Sequence, residues 1–170
     1  MLPLDSPRWS ELDTFFGEPE KVPHVLGEWI DSIGFDQEST IYSRDLFNLF
    51  LHQGTITNVA FAVVPWIVEN CNRSELTCRV DYLADVALVE LNRLSYGVYS
   101  IRDGGDAEPE WLMEAYKSAI ERAHSMAEDV LEETFDDELK INLWELMPAL
   151  FGNIELAKKR MAGYSKNSQK

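Results

Sequence analysis

The chain has 170 residues, 45% hydrophobic and 19 aromatic, which suffices for one domain with a packed core and excludes an intrinsically disordered body. Thirty acidic residues against 15 Lys and Arg give a formal charge of −15, and residues 1–157 alone carry −20 because 158–170 hold five cations and no acid. A body of that charge repels nucleic acid and anionic membranes, so the composition points away from both as partners.

The two cysteines, Cys71 and Cys78, match neither the spacing of a zinc site nor a disulfide framework, and we interpret them as reduced core residues. Residues 1–5 contain no basic region followed by an apolar run, and the longest nonpolar segment, 59–68, is too short to cross a membrane. We therefore expect no signal peptide, no membrane span, no cofactor and a cytoplasmic location.

Helix signals begin near the N-terminus. Ser6 precedes Pro7 in the manner of a helix cap, and Gly17 follows two phenylalanines, so the pattern predicts a short helix over 7–16. A second helix begins at Val22 and ends before Gly34. Its inward face is predicted from apolar residues at helical spacing: Val22, Leu26, Trp29, Ile30 and Ile33.

Glycine and proline mark the next two predicted helices. The third opens at Ser39 or Thr40 and ends at Gly54, with His52 and Gln53 interpreted as capping its last carbonyl groups. The fourth opens at Thr57 or Asn58 and carries Pro65 in its interior, where the ring predicts a kink. The small residues Ala60 and Ala62 favour close approach of another helix.

The second half repeats the helical pattern. A long amphipathic segment that follows Cys71 ends at Gly97, a second runs over 111–135, and a third begins at Asp136 or Asp137 and reaches Gly152. A last short helix is predicted over 154–161, and 163–170 are predicted to form a disordered basic tail. Residues 97–109, with three glycines and Pro109, form the one long predicted loop.

Strand alternation is almost absent, so the sequence predicts an all-α fold. The helices and short connections indicate stacked antiparallel helical hairpins, HEAT-like or α-solenoid-like, with about eight helices in a single domain over 1–162.

Several motifs in the first 70 or so residues carry a family resemblance. They are Ser6-Pro7-Arg8-Trp9-Ser10-Glu11-Leu12, Phe16-Gly17, Val22-Pro23, Leu51-His52-Gln53-Gly54-Thr55 and Ala60-Phe61-Ala62-Val63-Val64-Pro65-Trp66. This part of the chain resembles bacterial HEAT-like helical proteins from polymorphic toxin and secretion gene clusters. The resemblance implies an antitoxin or immunity protein, without catalytic residues, that binds and blocks a toxin.

Acidic residues crowd the end of the predicted 111–135 helix. Seven acids fall within eleven positions: Glu128, Asp129, Glu132, Glu133, Asp136, Asp137 and Glu138. The last three suit the start of the following helix, but Glu128, Glu132 and Glu133 lie where the helix dipole disfavours negative charge. A destabilising cluster of this kind indicates a functional surface, although each acid taken singly also fits a solvated helix face.

Acidic residues also recur along this helix at steps of three, four or seven, which places Glu110, Glu114, Glu121, Glu128 and Glu132 on one face together with Lys117. The predicted inward face carries Leu112, Tyr116, Ala119, Ala123, Ala127 and Val130. We expect the negative face to attract a basic partner and the 97–109 loop to contribute Asp103, Asp106 and Tyr99. Tyr96 and Trp111 are further aromatic candidates, for either partner or core contacts.

Enzyme readings stay open as alternatives. Glu121 and His124 have the spacing of half a di-iron site. Glu110 with Glu114 on one face, and Glu133 with Asp136, could hold magnesium in a helical nucleotide pyrophosphohydrolase. A DNA-mimic inhibitor would share the acidic surface. The sequence favours a non-enzymatic inhibitor of a basic protein, most simply a cognate bacterial toxin, and does not indicate an oligomeric state.

Overall fold

Helices dominate the computed structural model. It describes residues 1–16, 18–34, 45–100, 107–134 and 136–167. For residues 138, 139 and 163–167 it describes the backbone only. The N-terminal segment forms a 3₁₀-helix over Pro7–Glu11, with the Ser6 hydroxyl accepting a hydrogen bond from the Arg8 amide. The predicted helix over 7–16 is therefore too long. Its second half is drawn into an extended path because the Asp13 amide donates a 2.6 Å hydrogen bond to Asn58 Oδ1.

The next helices follow the prediction up to residue 50. A 3₁₀-turn over Pro19–Lys21 leads into α1, Val22–Ser32, whose side chains at Val22, Leu26 and Trp29 are buried, and Gly34 has a positive φ of 97°. Helix α2 covers 45–50 within the described part of the chain. Its predicted start at Ser39 or Thr40 lies outside the described residues.

The segment after α2 is a β-hairpin, which corrects the prediction that a helix continues to Gly54. Strands β1, Leu51–His52, and β2, Thr55–Thr57, pair antiparallel across Gln53 and Gly54, which have φ values of 49° and 76°. Positive φ at both turn positions is the type I′ arrangement that matches strand twist, and β-branched residues 55–57 favour extended backbone. His52 and Gln53 thus belong to a hairpin rather than to a helix cap.

A third strand joins this sheet from the predicted 97–109 loop. Strand β3, Val98–Tyr99, pairs parallel with β2, placing Ile56 opposite Val98 in the sheet order β1-β2-β3. Between the paired strands run α3, Ala60–Asn70, with Pro65 in its interior, a 3₁₀-turn over Cys71–Arg73, and α4, Leu76–Tyr96, which ends at Gly97 with φ 78°. Residues 101–106 lie outside the described part.

The remaining helices are α5, Glu110–Glu133, α6, Asp137–Leu146, and α7, Ile154–Asn167. α6 ends before the predicted Gly152 because Pro148 lies in a 3₁₀-turn, Met147–Phe151, that Gly152 closes in a left-handed conformation. α7 continues to Asn167, beyond the predicted end of the last helix, so part of the predicted tail at 163–170 is helical backbone. Residues 168–170 lie outside the described part.

Helices two apart in the chain pack on each other: α3 on α5 and α4 on α6, while α4 also contacts α3, α5 and α7. α4 is therefore in contact with four other described helices. The all-α prediction is confirmed, with seven α-helices in the described residues and one small sheet that the sequence did not predict. Among the described helices, none is both long and apolar enough to span a bilayer.

Candidate functional site

Helix α5 presents one acidic face to solvent. The predicted inward residues are all buried, and five glutamates on the opposite side are all exposed: Glu110, Glu114, Glu121, Glu128 and Glu132. At 1.5 Å per residue these five span about 33 Å along the helix. We call them the acidic stripe.

Few cations neutralise the acidic stripe. His124 Nε2 lies 3.5 Å from Glu128 Oε1, and within the described part of the chain no other stripe residue has a basic group within 4.0 Å. Nearby, Arg122 on the same helix turns aside to pair with Glu69 of α3 at 2.6 Å. The charge along this face is therefore largely uncompensated by the protein itself.

The turn between α5 and α6 extends the negative surface. Asp129, Glu133, Asp136 and Asp137 are exposed there, and Glu133 lies 3.8 Å from Arg79. Thr134 closes α5 through its hydroxyl, which donates to the Val130 carbonyl at 2.7 Å. The side chain of Glu138 lies outside the described residues, as do Asp103 and Asp106.

A buried polar cluster fixes α5 against α4. Glu90, 6% exposed, accepts hydrogen bonds from the Tyr116 hydroxyl at 2.8 Å and from Arg93 Nε at 2.7 Å. Burial, reinforced by the Glu90 charge, raises the pKa of Tyr116, and the hydrogen bond to Glu90 raises the pKa of Arg93. Arg93 also reaches Glu108 at 3.4 Å, just before α5 begins. The cluster therefore positions the start of the helix that carries the acidic stripe.

Tyr99, the aromatic residue predicted to contact a partner, belongs to an exposed ring cluster on the small sheet. Its ring, 54% exposed, stacks on Phe15 with centroids 6.3 Å apart, and His52 lies within 5.8 Å of Phe15 and 4.9 Å of Phe16. Phe16 is 52% exposed. The sequence did not reveal Phe15, Phe16 and His52 as neighbours of Tyr99, because the β1–β2 hairpin and the pairing of β3 with β2 bring them together.

The other two aromatic candidates differ from each other. Tyr96 is exposed at the end of α4, with Lys158 Nζ 5.6 Å from its ring, whereas Trp111 is half-buried beneath Arg8, whose guanidinium carbon lies 3.5 Å from the ring centroid. Tyr96 is therefore available to a partner, and Trp111 instead joins the N-terminal 3₁₀-helix to the first turn of α5.

Two surface depressions adjoin the acidic surface. One, of about 550 Å³, lies between α3 and α5 beside Glu69, Glu121 and Arg122. The other, of about 410 Å³, lies in the corner between α5 and α6, and its lining combines three apolar side chains with Asp137 and Lys140. The apolar residues are Leu131, Ile141 and Trp144. Sequence periodicity gave no sign of the second depression, because residues from two helices create it.

The residues considered for a metal site do not converge. Glu110 and Glu133 lie at opposite ends of α5, about 34 Å apart by helix rise, so the Glu110–Glu114 and Glu133–Asp136 pairs cannot hold one ion together. His124 contacts Glu128 and the ring of Phe151, whose centroid is 3.8 Å away. Within the described residues, no three His, Cys, Asp or Glu side chains are grouped as metal ligands.

Comparisons of the chain with protein-family models, with curated proteins and with solved structures gave no match.

Proposed function

We propose that the protein is a stoichiometric inhibitor that binds a basic protein through the acidic stripe and the α5–α6 turn. The motifs near the N-terminus suggest that the partner is a toxin and that the chain acts as its immunity protein. The observation that carries the proposal is the row of five exposed, mostly unpaired glutamates on one face of a single helix. Inhibition would be by occlusion.

Electrostatics favours this use of the surface. Exposed carboxylates that are mostly outside ion pairs keep most of their field, which raises the association rate with a partner of opposite charge. If the partner is a toxin that binds phosphates, carboxylates on a helix can take the place of substrate phosphates in its pocket. The buried Glu90–Arg93–Tyr116 cluster keeps α5 fixed, so little ordering entropy is lost when the partner docks.

The test is capture of partners by the tagged full chain from lysate of the source cell, at low and moderate salt, followed by mass spectrometry. We expect a basic protein in stoichiometric amount, toxic when expressed alone and harmless when co-expressed with this chain. The same capture is repeated with the variant Glu128→Lys/Glu132→Lys/Glu133→Lys.

A matched control carries the same change in charge elsewhere. Glu18, Glu20 and Asp31 are exposed on the 3₁₀-turn and α1, away from α5, and are replaced together by Lys. The α5 triple variant should lose the partner or bind it more slowly with a weaker salt dependence, and the control should bind as the unmodified chain does. Equal binding by both variants would show that the acidic surface is not the binding site.

A further inference from the structure

The depression between α5 and α6 has the properties of an anchor pocket. Leu131 of α5 and Ile141 and Trp144 of α6 line it, and Trp144 is 46% exposed, an unusual state for the side chain with the largest apolar surface. Its volume of about 410 Å³ exceeds that of any single side chain. A pocket of this kind can bury an apolar group presented by another molecule.

The aromatic wall of the pocket is held in place from behind. The Arg160 guanidinium of α7 lies 4.0 Å from the centroid of the Trp144 ring, and its Nη1 donates a 2.6 Å hydrogen bond to the Trp144 carbonyl. A cation stacked on indole and bonded to the same residue's backbone restricts rotation of the ring. Because the ring is already fixed, less entropy is lost when a ligand contacts it.

A second exposed aromatic residue, Phe151, lies further along α5. His124 and Leu131 are seven residues apart, so they lie on the same side of α5 at about 10.5 Å separation. Phe151, 52% exposed, packs its ring against His124 at 3.8 Å, just as Trp144 shares the pocket with Leu131. Two exposed aromatic residues therefore lie beside α5 positions that are two helical turns apart on the same side of the helix.

Negative charge adjoins both apolar positions. Glu128 lies between His124 and Leu131 along α5, and Asp137 lines the pocket. Lys140 in the lining and Arg160 on the Trp144 ring contribute two cations, so the excess of negative charge comes from the adjoining acidic stripe and α5–α6 turn. An occupant that also contacts that acidic surface must therefore bring apolar side chains on a positively charged segment.

We propose that this corner, formed by His124, Leu131, Ile141, Trp144 and Phe151, binds an amphipathic basic helix of the protein partner. Apolar side chains seven residues apart on that helix match the spacing of His124 and Leu131, the α5 residues beside the two aromatic side chains: one enters the pocket and the other packs on Phe151. The inference rests on the proposed function and adds the anchors that electrostatic attraction alone does not provide.

The probe is a pair of synthetic helical peptides of about 18 residues, rich in Lys and equal in charge. One carries Leu at two positions seven apart, and the other carries Gln at both. Binding is followed by NMR through the indole N–H resonance of Trp144, assigned with the Trp144→Phe variant. The Leu peptide should shift this resonance and bind at least about tenfold more tightly than the Gln peptide.

Variants locate the effect. Leu131→Gln and Ile141→Gln change partly buried pocket residues and should each weaken the Leu peptide about tenfold, whereas Leu156→Gln, at a 36% exposed position on α7, should not. Circular dichroism will test whether each variant is folded. Because there are two independent pocket variants, the test still works if one of them does not fold.

The outcomes separate the two proposals. If the peptides bind equally and Glu128→Lys/Glu132→Lys/Glu133→Lys weakens both, the acidic surface attracts basic segments but the corner is not an anchor site. If neither peptide binds, the corner proposal fails, and so does the acidic surface as a receiver of basic helices. Tighter binding of the Leu peptide that is lost in the pocket variants alone supports the anchor site.

Discussion

The hydroxyl of Tyr116 donates a 2.8 Å hydrogen bond to Glu90 Oε2 in the interface between α5 and α4, where both side chains are buried. A carboxylate at this depth depends on all its partners, because any lost hydrogen bond leaves a desolvated charge less compensated. The position of the acidic stripe is therefore coupled to a polar contact on the opposite face of the same helix.

Replacing Tyr116 by Phe should lower the free energy of unfolding by about 1–3 kcal/mol, since Glu90 keeps Arg93 but loses one charge-assisted hydrogen bond. Urea unfolding followed by circular dichroism measures the change. Tyr99→Phe removes the same atom from a 54% exposed ring and should alter stability little. Equal effects of the two substitutions would argue against a structural role for the buried contact.

Asp85 on α4 should make the stability of the protein depend on pH. Burial, with a smaller contribution from the Asp81 charge, raises its pKa from 3.8 to about 7. The folded protein therefore binds a proton that the unfolded chain releases, so this group lowers stability as the pH rises from about 4 towards 7.

The substitution Asp85→Asn should accordingly stabilise the protein by about 1–3 kcal/mol at pH 8 and lose this advantage near pH 4. Asp81→Asn should produce a smaller gain, because burial raises the pKa of Asp81 less than that of Asp85 and the substitution otherwise removes only the repulsion between the two. Thermal unfolding across this pH range tests both. A gain for Asp85→Asn that does not change with pH would contradict the assigned cause.

Two glycines should respond in opposite directions to alanine. Gly54 has a φ of 76° in the hairpin turn, where a side chain is strained, so Gly54→Ala should cost about 1–2 kcal/mol. Gly27 lies inside α1 with open space around the position of a Cβ, so Gly27→Ala should stabilise by about 0.5–1 kcal/mol. Denaturant titration of both variants, analysed together, tests the backbone assignment at each position.

Glu132 lies in the last turn of α5, where negative charge opposes the helix dipole, and no cation among the described residues lies within ion-pair distance of it. Glu132→Lys should raise stability by about 0.3–1 kcal/mol while slowing association with a basic partner. Glu114→Lys, in the helix interior, should slow association without the gain in stability. Thermal unfolding and stopped-flow association measure the two effects separately.

The sequence predicted a helix correctly where its apolar periodicity ended at a glycine. α1, α4 and the inward face of α5 follow the predicted spacing, and Gly97 ends α4 as expected. Gly54 misled the prediction because a helix end and a type I′ turn both require a residue that accepts positive φ. The pairing of Ile56 with Val98 decides between them, and that contact is remote in sequence.

One part of the candidate site could likewise be predicted from the sequence, and another part could not. The acidic stripe depends only on the period of one helix and could be located from the sequence. The pocket beside Trp144 and the grouping of His52 with Phe15 and Phe16 depend on contacts between separate elements. Local patterns do not encode such contacts, so the apolar part of the proposed binding surface required the three-dimensional structure.

The parallel pairing of β2 with β3 closes the chain into a loop that contains the whole of α3 and α4. Closing so long a loop has a large entropic cost, and the few hydrogen bonds between β2 and β3 offset little of it. We therefore expect α3 and α4 to pack first and the two strands to pair afterwards. That last step brings Tyr99 to Phe15 and so completes the aromatic cluster. We therefore expect the complete cluster only in chains whose α3–α4 hairpin has already folded.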